Sequence, residues 1–243
     1  MLNNVSFTSA PLRLGNDQLE YCTCNHSWQD YSQTSYAHYG IQKPDELASA
    51  SAKRHCEYIA GRYCANQAIQ RLCHPSNCSD ETQVLMQPDH SPLWPKGIVG
   101  SISHSDDRAM ALIGKADNYA GLGIDCEDLL ADLAAREIAD LILRPVERKL
   151  LFNRELDLEL EFGGLVTLAF SAKESLFKAL SPSVATIKNF HDFAIQNISA
   201  NKLTLQADKR LNSSWPTAKE FSINYIKQPN SIVTMTVITA EDR

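Results

Sequence analysis

The chain has 243 residues, 44% hydrophobic and 21% charged, and its 23 basic against 29 acidic side chains leave a net charge of −6. That composition excludes the disordered, collagen-like and disulfide-scaffold classes, and the length suits one large domain or two small ones. No apolar run is long enough to span a bilayer, the start of the chain carries no leader signature, and the acidic balance disfavours a general nucleic-acid binder.

Residues 1–49 are weakly patterned and read as short strands and loops. Within them Cys22, Cys24 and His26 alternate, so a strand turns all three to one face. A zinc site there needs a further ligand and a second close pair, and the sequence offers no such pair. The seven cysteines, with no Cys-x-x-Cys among them, read as reduced thiols of a cytoplasmic protein.

From about Ala50 to Cys73, Cys56, Ile59, Ala60, Tyr63, Cys64, Ala68 and Leu72 recur at helical spacing, and Pro75 follows as a stop. Arg54 and Arg62 on this helix are about 80° apart around the axis, so both reach one side. With Lys53 they form a basic cluster: ordinary surface charge, or a phosphate site that suits the arginine fork. Residues 86–97, with Pro88, Pro92, Pro95 and Gly97, read as a loop. Ile98–Ser103 and Ala109–Ile113 read as two strands of a hairpin, with His104 where the first leaves the sheet.

A further strand, Ala120 to Glu127, contains Gly123-Ile124-Asp125-Cys126-Glu127. Asp125 and Glu127 share one face of it, with Ile124 and Cys126 turned to the core. Taken alone, such a pair is a solvated strand end; with a cation, its hard oxygens suit magnesium and a phosphate substrate. Helical patterns cover Leu129–Leu143 and Val146–Asn153, with Pro145 at the first position of the second. A third helix runs from about Leu165 to Leu180 and stops at Ser181-Pro182; Phe170 to Lys178 begin its polar face. There Glu174 and Lys178 stand four apart, by themselves a surface ion pair. The tail alternates as strands around Leu203 and Leu205, Phe221 to Tyr225, and Ile232 to Thr239. The class is α+β. No P-loop, dinucleotide fingerprint or nucleophile elbow occurs.

Four blocks, taken together, resemble the 4′-phosphopantetheinyl transferases of the two-halved bacterial type, the enterobactin synthetase component D group. They are Lys53 to Arg62, Pro92–Pro95 running into Gly100–His104, Gly121 to Glu127, and Phe170 to Lys178. The resemblance spans about residues 50–182, just over half the chain. It implies a pseudo-twofold duplication of two similar α+β halves, residues 1–118 and 119–243, with the coenzyme A site in a cleft between them. It implies an enzyme that moves the phosphopantetheine arm of coenzyme A to a serine of an apo carrier protein. By the same resemblance Asp125, Glu127 and Glu174 hold Mg²⁺ on the diphosphate. Lys178 contacts a phosphate, and Arg54, Arg62 and His104 grip the nucleotide's phosphates. The acceptor serine needs a base, or a metal-bound water that relays its proton; Glu174, whose metal role competes with it, is the candidate base. The implied protein is a cytoplasmic monomer serving siderophore or other secondary metabolism. The alternative is a catalytically silent coenzyme A-binding module of a biosynthetic assembly, against which intact Asp125, Glu127, Glu174 and Lys178 argue.

Overall fold

A computed structural model of the protein describes residues 1–8, 19–73, 83–153, 159–182, 184, 187, 189–211 and 218–242. The backbone divides into two units: Met1–Ala120 together with Thr239–Arg243, and Gly121–Ile238. Both are α+β, and each sets a long helix against a sheet.

In the first unit β1 (Leu2–Thr8) and β2 (Glu20–His26) precede a short helix α1 (Ser35–His38) and the long α2 (Ala52–Leu72). Then come β3 (Leu85–Met86), β4 (Pro92–Leu93), β5 (Ile98–His104) and β6 (Arg108–Lys115). The sheet order is β1-β2-β6-β5, antiparallel throughout. The stretch read as a loop contains a small ladder, Leu85 opposite Leu93 and Met86 opposite Pro92. Proline tolerates that place because a two-stranded ladder is all edge.

Ser51 starts α2 by accepting the Arg54 N–H at 3.2 Å. Pro75, the expected stop, lies outside the described residues. One face of the helix carries Ala60, Cys64 and Ala68 onto Cys22, Cys24, Ala109 and Ala111 of the sheet. Small side chains on both surfaces bring helix and sheet close. Its other side packs Tyr58 and Ile59 against Tyr36, Ile41 and Leu47. Cys22, Cys24 and His26 do share a buried face. The Cys64 thiol donates to Cys24 Sγ at 3.3 Å, and these thiols pack as core.

In the second unit β7 (Tyr119–Asp128), beginning at the unit boundary, leads to α3 (Asp132–Ile142), α4 (Pro145–Leu151) and α5 (Phe162–Leu180). Strands β8 (Phe193–Ser199), β9 (Lys202–Ala207), β10 (Lys219–Lys227) and β11 (Ser231–Thr239) follow, in sheet order β7-β11-β10-β9-β8. Helix α5 lies against this sheet through hydroxyls. Ser171 Oγ and Thr234 Oγ1 are 2.9 Å apart, and Ser175 Oγ and Thr236 Oγ1 are 3.2 Å apart. The face read as polar surface is therefore buried in part: Ser171, Lys173 and Ser175 are fully enclosed. Buried polar groups are tolerated where partners satisfy them: those of Ser171 and Ser175 lie some sixty residues further on, and Glu147, the partner of Lys173, lies 26 residues earlier.

Candidate active site

In the second unit the acidic residues meet where α5 crosses β7. Gly121 and Gly123 lie on the same strand face as Asp125 and Glu127, since side chains alternate. A Cβ at Gly121 would overlap the Ala179 carbonyl oxygen, and one at Gly123 the Ser175 carbonyl oxygen. The glycines therefore let the helix backbone rest on the strand, and this close approach carries Glu174 and Lys178 to the carboxylates.

Lys178 Nζ donates to Asp125 Oδ1 at 2.6 Å and to the Ile124 carbonyl at 3.3 Å. Asp125 is only 2% exposed, so the pairing as a solvated strand end does not hold: α5 covers it. Ile124 and Cys126 are fully buried on the opposite face, as alternation predicts. Burial, and then the charge of Asp125, push the Glu127 carboxyl up to about 7; Lys178 opposes this and Glu174 adds to it. Burial likewise raises Glu174, with Lys178 pulling down and Asp125 pushing up. A pocket of roughly 150 Å³ beside Glu174 is lined by Phe177, Ile187, Phe190 and Phe193, with Lys173 and Asn189.

These residues fit a divalent cation in kind. Three carboxylates are hard oxygen donors, and beside burial, the larger cause, the charges of Asp125 and Glu174 raise Glu127 against the single ammonium of Lys178. In this conformation Lys178 holds one Asp125 oxygen, and among the described residues no three His, Cys, Asp or Glu side chains are arranged to hold a metal ion.

In the first unit the basic residues separate into two places. Arg54 Nη1 is 3.1 Å from His104 Nε2 and donates to Glu57 Oε2 at 3.2 Å. The first turns of α2 thus meet the end of β5, and Lys53 pairs with Asp106 of the hairpin at 2.5 Å. Arg62, two turns on, is 6% exposed. Its guanidinium stacks over Tyr58, 4.7 Å from the ring centre, and donates to the Leu85 carbonyl at 3.2 Å. It is enclosed because α2 is covered on two sides, a fact that angular spacing does not reveal.

Two charged residues escaped the sequence reading. Glu57 joins Arg54 to His104; its position three residues after Arg54 was a usable signal. Lys173, within the block that begins the polar face of the helix, is fully buried against Glu147. Nothing local marks that pair.

Comparison with known proteins matches residues 43–114 to the 4′-phosphopantetheinyl transferase N-terminal domain and residues 121–231 to the 4′-phosphopantetheinyl transferase superfamily. Enterobactin synthase component D of Salmonella typhimurium is 33% identical over 193 residues, covering 79% of this chain and 75% of that protein. Its Escherichia coli K12 counterpart is 37% identical over 157 residues, covering 65% and 68%. A 4′-phosphopantetheinyl transferase of Mycobacterium tuberculosis is 31% identical over 146 residues, 60% of each chain. The two matched segments include every residue gathered above, from Lys53 to Lys178.

Proposed function

The chain belongs to the 4′-phosphopantetheinyl transferase family, and from that premise we propose that it transfers the phosphopantetheine arm of coenzyme A to a serine of an apo carrier protein in the cytoplasm, releasing adenosine 3′,5′-bisphosphate. The observation that carries this reading is the meeting of Asp125, Glu127 and Glu174 with Lys178 where α5 rests on β7. The likeness to enterobactin synthase components supports a carrier belonging to siderophore synthesis.

In this proposal Asp125, Glu127 and Glu174 would hold Mg²⁺, which when bound neutralises the diphosphate and favours the leaving bisphosphate. Phosphoryl transfer needs positioning and charge stabilisation more than covalent help from the protein. Lys178 contributes a fixed positive charge at the diphosphate. Arg54 and His104 offer donors to the nucleotide's phosphates, with Glu57 keeping both in place until the anion arrives. We assign Arg62 a part in that grip too, acting from within the fold. Glu174 accepts the serine proton as the serine oxygen bonds to phosphorus and the diphosphate bond breaks; burial raises its carboxyl above the usual value, which makes it a stronger base.

The test is to incubate the protein with coenzyme A, Mg²⁺ and a panel of apo carriers and to weigh the carriers. A gain of one phosphopantetheine, dependent on both additions, is expected, with siderophore carriers modified fastest. If no carrier gains mass while a known transferase modifies the same samples, the catalytic reading fails. Tight binding of coenzyme A without transfer would instead support the silent module. A primary fatty-acid carrier modified fastest would remove the siderophore assignment alone.

A further inference from the structure

Among the described residues, Lys173 and Glu147 form the only ion pair with both side chains fully buried. Lys173 Nζ lies 2.8 Å from Glu147 Oε1 and 3.0 Å from Oε2, and it also donates to the Ile142 carbonyl at 2.7 Å. Glu147 accepts the Ile195 N–H at 2.7 Å and the Arg144 N–H at 2.6 Å. One charged pair therefore ties together the end of α3, the start of α4, strand β8 and helix α5.

Such a pair is a poor way to gain stability. Taking both charges out of water costs about as much as their attraction returns, and an apolar pair of similar volume often serves as well. What the ion pair supplies is direction, because its bonds hold Lys173 from several sides at once. Lys173 immediately precedes Glu174, and successive helix residues point about 100° apart. On the other side of Glu174, Ser175 is fastened too: its hydroxyl meets Thr236, and its carbonyl sits over Gly123. Glu174 is thus the residue between two anchored neighbours, and the charges of Lys178 and Asp125 both act on it. The cavity that it and Lys173 line is walled mostly by Phe177, Ile187, Phe190 and Phe193, which offer no charge to orient its carboxylate.

We infer that Lys173 and Glu147 are positioning residues for Glu174: they fix the rotation of α5 about its axis, and so the direction in which the Glu174 carboxylate points. This rests on the reading above that Glu174 takes part in the reaction.

The experiment compares the full-length double variant Glu147→Gln/Lys173→Met, which is neutral, with Ile198→Ala, a core deletion at a buried β8 residue that is no member of the charged pair. Thermal midpoint, kcat, and KM for coenzyme A are measured for each. The double variant is expected to unfold near the Ile198→Ala midpoint, to keep KM for coenzyme A within about threefold, and to lose roughly 10- to 100-fold in kcat, the scale of a small misplacement. Ile198→Ala is expected to keep its kcat. Lys173→Arg, which retains the charge but not the shape, gives a second reading: a folded protein with the same selective loss of kcat.

A kcat within twofold of Ile198→Ala in either variant overturns the inference. So does a loss that falls on KM for coenzyme A instead, which would mean general distortion of the site. If neither variant folds, the pair serves folding alone and the inference is equally overturned. Glu174→Ala, assayed beside them, separates the two levels. If it keeps wild-type turnover, the assignment of Glu174 fails; if it is inactive while the Lys173 and Glu147 variants are fully active, only the positioning role fails.

Discussion

Glu127 is held in an environment that resists its charge, since burial and the neighbouring Asp125 carry its carboxyl up to about 7. An acid whose pKa rises on folding binds its proton more tightly in the folded state. Its contribution to stability is therefore present at low pH and is lost as pH rises from about 4.5 through about 7. Glu127→Gln should then raise the thermal midpoint of the metal-free protein at about pH 8, leave it unchanged at about pH 4, and abolish most turnover. Equal midpoints at the higher pH would show the carboxylate to be well accommodated. The first unit invites a different test. Arg54 and His104 are partly open and bonded to each other, whereas Arg62 is enclosed beside Tyr58. Arg54→Ala and His104→Ala should each raise KM for coenzyme A about tenfold, the worth of a hydrogen bond to a charged group, and shrink the preference over dephospho-coenzyme A. Arg62→Ala should also lower the thermal midpoint, by stripping its stack on Tyr58 and its bond to Leu85. Steady-state kinetics with both substrates, beside thermal unfolding, separates these outcomes. Unchanged KM values in all three would make the residues structural.

Two glycines allow the close contact of α5 with β7. Gly123→Ala must push the strand away from the Ser175 carbonyl, which is backbone and cannot swing aside. Overpacking of this kind costs about 1–3 kcal/mol. Because the same displacement moves Glu174 and Lys178 off Asp125, turnover should fall well beyond what the stability loss explains, as denaturant unfolding and rate measured together would show. A merely proportional loss would mean that α5 is placed by other contacts. Helical spacing sets most leucines of the 129–151 segment in a core stripe, yet Leu133 and Leu141 of α3 are 74% and 68% exposed. Ala135, Ala139 and Ile142 make its core contact instead. Exposed leucines with the exposed Lys149 nearby in sequence form a mixed apolar and basic patch on a chain of net charge −6, which we propose as the docking face for the carrier. Replacing Leu133 and Leu141 by Gln and Lys149 by Glu should slow carrier modification at low salt while leaving KM for coenzyme A unchanged. A normal rate in that triple variant would place carrier docking elsewhere.

At the scale of the whole molecule, two histidines of the first unit and two carboxyls of the second titrate in opposite senses. In the first, burial lowers the pKa of His26 and of His55. A base lowered in this way adds stability above its unfolded pKa of about 6.5 and loses it as pH falls through the folded value. In the second, Glu127 and Glu174 are raised, so stability is lost as pH rises. Hydrogen exchange, corrected for intrinsic rates, should therefore find the first unit less protected at about pH 5 and the second less protected at about pH 8. Parallel changes in both units would contradict these assignments.

The amino-acid sequence by itself determined the elements and the chemical vocabulary of the site. Helical spacing from Cys56 to Leu72, alternation around Leu203 and Phe221, and the turn signals between them report local backbone preference, which needs no distant partner. The glycine-carboxylate strand and the Phe170–Lys178 block were legible for the same reason, as each is one continuous segment. Only the tertiary structure decided which faces are covered. Arg62 is enclosed because α2 has a second layer over it. Ser171 and Ser175 are buried because Thr234 and Thr236 await them, and Lys173 because Glu147 does. Periodicity shows that a helix has a polar side; whether that side meets water or a partner dozens of residues away depends on packing, where the desolvation of each polar group is either compensated or not.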